Sequence, residues 1–381
     1  MRKLLVILSL FLTSTAALYA QSAPPTQQLP PKTRHVILIM SDGLRWQEVF
    51  RGADDTLMAK KTGGVTSKDE AAALRKSWAR DSVAARRAAL MPFLWNVIAA
   101  QGQIYGDRDA GSDAFVTNGK NFSYPGYSET LCGFPDPRIA SNDKIPNPNV
   151  TVFEWLNNKP AFRDQVAAFG GWDVFPFIFN IERAKFTLNA GWDPLTAIST
   201  PQTQTLNTLK AESPHYWNDE PFDEFPAHAA LEYMQEKHPR LLFIGLGETD
   251  DWAHERRYSL YLESAHRADD YVRQVWELAQ SIPEYRGTTT IIFSPDHGRG
   301  AKPKTWTDHG VGIADARYIW IAVIGPDTRA LGDRQHVAAV TQSQIAATIA
   351  ALLGENYNAD VPNAGTPLAD VLPATSPVPA N

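Results

Sequence analysis

The sequence predicts an α/β fold in which helices sandwich a mostly parallel central sheet. Three observations predict it. Short apolar, β-branched-rich runs recur at His35–Met40, Arg240–Gly245, Thr288–Phe293 and Tyr318–Ile324, the pattern of strands covered on both faces. Helical stretches such as Ala227–His238 and Arg256–Gln280 alternate with them, as in parallel sheets built by crossover connections. Acids and histidines then follow the ends of those runs, at Asp42, Asp250, His254, Asp296 and His297. That carboxyl edge is where open α/β sheets bind ligands.

A chain of 381 residues can bury one large core, and a single domain over 33–360 is the expectation. The net charge of -6 gives no basic footprint for nucleic acid. Cys132 is the sole cysteine, so no intramolecular disulfide forms. Residues 1–20, a basic start followed by a short apolar run and small residues, read as a signal peptide. A periplasmic or secreted protein follows from that signal, with no membrane span after its removal. The Pro/Gln-rich segment 21–32 reads as a flexible leader, and the Pro-rich tail 372–381 as disordered.

Taken in order, His35–Met40 ends at Ser41-Asp42-Gly43; alone, Asp before Gly is an ordinary turn or cap. The alanine- and charge-rich stretch 68–89 reads as an inserted exposed helix, and Pro92–Ala100 as a second helix closed by Gly102. Gln103–Tyr105 and Ala114–Thr117 look like strands. Pro125 fits the first turn of a helix, which places Ser123 at or just before an N-terminus favouring an anion or alkoxide. Ser128, inside that helix, is the competing nucleophile. Segment 170–225 is irregular and rich in aromatics, and reads either as a cap over a substrate pocket or as core.

Beyond Arg240–Gly245, Asp250 and His254 are four residues apart, so one helical turn aims both the same way. Asp251 is the competing acid. Thr288–Phe293 is followed by Ser294-Pro295-Asp296-His297-Gly298, and a second Asp-His pair, Asp308-His309, stands before Gly310. Each pair alone reads equally well as a turn. Together, three acids and three histidines supply ligands for two ions about 4 Å apart with a nucleophile beside them. Carboxylates with imidazoles suit zinc best, with manganese the alternative.

On these motifs the chain resembles the alkaline phosphatase superfamily, in particular its phosphodiesterase/nucleotide pyrophosphatase and phosphate-monoesterase branches. Val36–Gly43 is similar to the opening strand with its metal aspartate, Ser123-Tyr-Pro to the nucleophile motif, Asp250–His254 to the Asp-x-x-x-His pair, Asp296-His297-Gly298 to the Asp-His-Gly motif, and His309 to the final histidine. The resemblance implies an alkaline phosphatase-like fold, one ion on Asp250, His254 and His309, and a second on Asp42, Asp296 and His297 within reach of Ser123. With the signal segment supplying export, it implies an exported two-metal hydrolase of small-molecule phosphate esters, phosphomonoesterase or phosphodiesterase, that passes through a phosphoserine. Lys120, Asn121 and Arg299 are weaker candidates for substrate contact.

Two departures qualify the transfer. Gly126 stands where diesterases of this kind often carry an oxyanion-binding Asn. The Cys/Ser-x-Pro-x-Arg motif of the sulfatases is matched neither by Cys132, which has Phe134 at the proline position, nor by Ser123, which has Tyr127 at the arginine position. Sulfatase or phosphomutase chemistry is the alternative within the superfamily. A metal-stabilised binding protein without turnover is the alternative outside it.

Overall fold

The computed structural model describes residues 26–377. The expected signal segment 1–20, the leader through residue 25 and residues 378–381 lie outside the described residues. Two compact units are present, the larger spanning Pro30–Pro373. In the smaller, Thr26–Gln28 and Thr375–Pro377 pair as antiparallel strands. That pairing joins the end of the Pro/Gln-rich leader to the Pro-rich tail, each segment bonding the other's backbone polar groups.

Eight strands form the central sheet of the larger unit: β1 (His35–Ser41), β2 (Gln103–Tyr105), β3 (Val166–Gly170), β4 (Thr187–Ala190), β5 (Leu241–Leu246), β6 (Thr289–Ser294), β7 (Ile321–Ile324) and β8 (Gly332–Asp333). Their spatial order is β8-β2-β7-β6-β1-β5-β3-β4. From β6 to β4 every neighbouring pair is parallel, and only β7 runs antiparallel to its neighbours. The sheet is thus mostly parallel, as the alternating pattern predicts. The helices used below are α1 (Trp46–Arg51), α2 (Lys68–Trp78), α3 (Val83–Leu90), α4 (Ser123–Cys132), α5 (Pro201–Glu212), α6 (Glu224–Lys237), α7 (Glu248–His254), α8 (Tyr258–Ser281) and α9 (Gln344–Leu352).

Helices on both faces explain why the central strands are apolar throughout. Ile37 and Ile39 of β1 join the core that contains Tyr261, Leu262 and Val272 of α8. Val36, Leu38 and Met40 point the other way, into the core shared with Tyr127 of α4 and Ile345 of α9. Each such side chain is worth roughly 1.5–3 kcal/mol when fully buried. Side chains of α8 are buried at Tyr258, Tyr261, Leu262, Ala265, Ala268, Val272 and Val275, the three- and four-residue spacing of a helix laid on a sheet.

Three boundaries differ from the sequence expectation. Stretch 68–89 is two helices, α2 and α3, divided because Ser82 caps a new helix by accepting from Ala85 N–H at 3.1 Å. Tyr318–Ile324 is cut at Trp320: Tyr318–Ile319 joins a separate three-stranded sheet, while β7 stays in the main one. Segment 170–225 supplies an edge strand, β4, and helix α5. Within it Phe175 and Phe179 are core residues packed against Phe243 of β5, whereas Tyr216, Trp217 and Phe222 cluster around Trp252 of α7.

Strands β6, β1 and β5 are adjacent, parallel and in register, with Met40 opposite Ser294 and Ser41 opposite Leu246. Their carboxyl ends therefore open at one edge. Asp42 follows β1, α7 with Asp250 and His254 follows β5, and Asp296-His297 follows β6.

Candidate metal centre and nucleophile

Around His297 the strand ends bring four oxygens to one nitrogen. Its Nε2 stands 3.2 Å from Asp42 Oδ1, 3.5 Å from Asp296 Oδ2, 3.7 Å from Asp250 Oδ1 and 3.4 Å from Ser123 Oγ. The other ring nitrogen, Nδ1, donates to the Gly298 carbonyl at 2.9 Å, so Nε2 presents a lone pair to the carboxylates. Burial pulls His297 down to about 4, keeping it neutral. Lone pairs converge here, and a cation placed among them relieves their repulsion.

The carboxylates carry the same message. Burial, followed by the charge of Asp250, raises Asp42 to about 7. Burial and Asp42 push Asp296 well above the usual carboxylate range. Asp42 Oδ1 and Asp296 Oδ2 are buried with no hydrogen-bond partner among the described residues, an arrangement that is costly unless a cation takes them. Donors on a tetrahedral zinc-type ion stand about 3.3–3.5 Å apart, close to the spacings observed. Asp42, Asp296 and His297 thus form one fitting set, and Asp250, His297 and His309 a second.

His254 adjoins the second set. Its Nε2 lies 3.0 Å from Asp250 Oδ2 and 2.9 Å from His309 Nε2, so the Asp250, His254 and His309 grouping is also present. His309 Nδ1 donates to the Asn121 carbonyl at 3.3 Å, turning Nε2 inward. Burial, then the neighbouring His297, lowers His309 to about 3. His254 is half exposed at the rim, and there Asp250 outweighs burial and raises it. Burial acts to raise Asp250, but Arg299, His254 and His309 together hold it well below its ordinary value.

Ser123 opens α4. Its helix runs to Gly133 without a side-chain cap from Phe122; in its first turn Pro125 has no N–H and Gly126 N–H bonds the Phe122 carbonyl at 3.0 Å, so the Ser123 N–H is the backbone donor left beside Oγ. Asn142 Oδ1 accepts from Tyr124 N–H at 3.0 Å, anchoring the turn. Ser128 faces elsewhere: it is buried, accepting from Asn147 Nδ2 at 3.1 Å, with Cys132 Sγ at 3.8 Å. Burial pushes the Cys132 thiol up to about 12, where it is no nucleophile.

The glycine at 126 has a physical cause. A Cβ there would stand 2.4 Å from the Asp296 carbonyl oxygen, so an Asn at this position is excluded by the close approach of α4 to the β6 loop. Gln342 Nε2 bridges the two, donating to Gly126 O at 3.0 Å and Asp296 O at 2.9 Å.

Arg299, expected as a contact to substrate, is buried and turned onto Asp250, with Nη2 also donating to the Asp250 carbonyl at 3.0 Å. The surplus of buried acids draws its charge inward, so it braces Asp250 instead of reaching outward. Asn121 is buried in the left-handed region, its Oδ1 without a partner among the described residues. Lys120 is half-buried beside it. Sequence reasoning missed Tyr127, whose hydroxyl donates to Asp42 Oδ2 at 3.0 Å. Its place four residues after Ser123, on the same helical face, is the signal that could have found it. Thr249 and Gln342 carry no such signal; Thr249 Oγ1 donates to the Asp42 carbonyl.

The sequence matches no family profile and no curated protein. Its fold does match solved structures. Alkaline phosphatase PafA superposes with a TM-score of 0.59 at 10% identity, covering 90% of this chain and 99% of that one. A 2-O GAG sulfatase gives 0.54 at 14% identity, covering 93% and 76%. The lipoteichoic acid synthase LtaP from Listeria monocytogenes gives 0.53 at 12% identity, covering 86% and 73%. The fold is alkaline phosphatase-like.

Proposed function

We propose that this protein is a metal-dependent hydrolase of small-molecule phosphate esters, a phosphomonoesterase or phosphodiesterase, with Ser123 as nucleophile. One observation carries the reading: Ser123 Oγ, at the start of α4, stands 3.4 Å from a neutral His297 nitrogen that also faces Asp42 and Asp296. That is a hydroxyl placed against a cation site. Asp42, Asp296 and His297 would hold one divalent ion and Asp250, His254 and His309 the other, with zinc favoured by the donor set and manganese the alternative. Bound there, such ions supply positive charge that favours the serine alkoxide and stabilises a departing oxygen.

The chain's own groups do the rest. Ser123 Oγ attacks phosphorus in line, forming a Ser–O–P bond as the ester P–O bond breaks and the alcohol leaves. The Ser123 N–H at the start of α4 is the backbone donor available to the equatorial oxygens as charge builds on them. Water then breaks the Ser–O–P bond, releasing phosphate and restoring the hydroxyl. Asn121 and Lys120, two and three residues before Ser123, are the side chains nearest in sequence for contact with phosphate. The likeness to a sulfatase fold supports a second reading, sulfate-ester hydrolysis, but the sulfatase arginine position is Tyr127, whose hydroxyl is held on Asp42.

Rates of zinc-loaded protein on p-nitrophenyl phosphate, bis-p-nitrophenyl phosphate and p-nitrophenyl sulfate decide between these. Turnover of either phosphate ester, lost by about a thousandfold or more in Ser123→Ala with metal content unchanged, is the expected result. Turnover of the sulfate alone selects the second reading. Bound metal with no turnover of any ester leaves the binding-protein alternative.

A further inference from the structure

The carboxyl edge of the sheet carries a second opening. A cavity of about 470 Å³ lies between the loops that leave β1 and β6 and the helices α1 to α3, with Arg45, Gln47, Arg51, Arg80, Arg86 and Ala301 on its wall. Arg45 follows Asp42 by three residues and Ala301 follows His297 by four, so the two loops that carry Asp42 and His297 also reach the cavity wall. Arg45 Nη1 ties them together by donating to the Gly300 carbonyl at 3.1 Å.

Most charges on this wall are already neutralised. Arg45 pairs with Glu48, Arg51 with Asp109 at 2.6 Å, and Asp55 with Arg75 at 2.7 Å. Asp54 keeps its charge, hydrogen-bonded to the Thr56 N–H and hydroxyl and paired with no cation among the described residues. Arg80 and Arg86 differ. Arg80 Nη1 donates to the Ala79 carbonyl at 2.7 Å, and Arg86 donates to the carbonyls of Arg51 and Arg80 at 3.2 Å each. Among the described residues neither meets a carboxylate within salt-bridge distance. Carbonyl dipoles orient these guanidiniums without cancelling their charge.

Gln47 supplies the second, independent observation. It is only 5% exposed, and both its Nε2 and its Oε1 are buried with no partner among the described residues. An amide sealed in this way is disfavoured unless something enters to bond it. The close approach of the two helices is also built in. Gly52 has φ +74, and a Cβ there would stand 2.5 Å from Arg86 Cβ, so only glycine lets α3 bring Arg86 over the end of α1.

We propose that this cavity binds an oxyanion, a phosphate, sulfate or carboxylate group, through Arg80, Arg86 and the Gln47 amide. The group comes either from the substrate, as a second anionic substituent beyond the scissile ester, or from free inorganic anion. The substrate source rests on the phosphate-ester reading; capture of an anion does not.

Calorimetric titration of inorganic sulfate into the metal-stripped full chain tests capture. Wild type and Lys185→Gln/Lys237→Gln, a charge-matched control at positions just before β4 and β5 near the opposite edge of the sheet, should bind alike. Arg80→Gln/Arg86→Gln should bind at least about tenfold more weakly. Gln47→Leu should weaken binding while keeping or raising the melting temperature, because it removes an unbonded buried amide. Equal affinity in wild type and a folded double variant overturns the proposal. Should the double variant not fold, Arg80→Gln alone, at an exposed position, replaces it, and equal affinity in that variant overturns the proposal in the same way.

With zinc restored, kcat/KM for phenyl phosphate and 3-carboxyphenyl phosphate distinguishes the sources. A loss in the double variant confined to the carboxylated ester assigns the site to substrate. Unchanged rates for both, with sulfate binding still lost, assign it to free anion. If neither ester is hydrolysed by wild type, the phosphate-ester reading fails and the calorimetric result stands.

Discussion

Tyr127 shows how much of the site depends on groups that touch no substrate. Its hydroxyl donates to one Asp42 oxygen at 3.0 Å and leaves the other facing His297. Fixing a ligand acid in this way commonly accounts for a factor of about 10–100 in metal affinity or activity. Tyr127→Phe should therefore bind zinc about 10–100-fold more weakly in a chelator competition, with the fold intact because the ring remains in its core. Unchanged affinity would show that the hydroxyl does not orient Asp42. Single residues of this kind also mark the limit of legibility. Asp42, Asp296 and His297 stand out because each ends a strand, whereas Gln342, which holds α4 against the β6 loop, sits at an unremarkable position some 200 residues from one partner and shows its role only in three dimensions.

Elements are readable where burial dictates pattern and unreadable where it does not. Strands β1, β5 and β6 are buried along their whole length, so their apolar runs are unmistakable. The edge strand β4 is half exposed and its Thr-Leu-Asn-Ala has no such run, so segment 170–225 reads as irregular. The division of 68–89 rests on a single cap, Ser82, in a stretch whose composition is helical throughout. A buried acid on α8 makes a testable case of how one element holds another. Asp269 accepts from the N–H groups of Phe93 and Leu94 at 2.7 and 2.8 Å, and burial raises it to about 7 against those hydrogen bonds. Its folded value thus lies above the unfolded one, near 3.9, so the unfolded chain ionises first as pH rises. This group's contribution to stability therefore falls as pH rises from about 4 to about 7, and is constant above. Denaturation series from pH 4 to 8 should show that slope in the wild type and a shallower one in Asp269→Asn. Parallel curves would contradict it.

At the scale of the molecule, the parallel sheet explains why residues more than 250 apart in sequence form one centre. Asp42 and Asp296 emerge from neighbouring strands in register, and Asp250 from the strand on the other side. The fold class was legible because α/β alternation is a local pattern repeated along the chain. The pairing of Tyr318–Ile319 with a separate sheet and that of 26–28 with 375–377 were not, since both depend on partners distant in sequence. Among the described residues no helix is long and apolar enough to cross a membrane. Acid-quenched mass spectrometry of zinc-loaded protein during turnover of p-nitrophenyl phosphate shows whether Ser123 carries the phosphoryl group. The expected result is a peptide heavier by one phosphate, with fragmentation placing it on Ser123 and no adduct in Ser123→Ala. Phosphate on Ser128, or turnover that persists at the wild-type rate in Ser123→Ala, would contradict it.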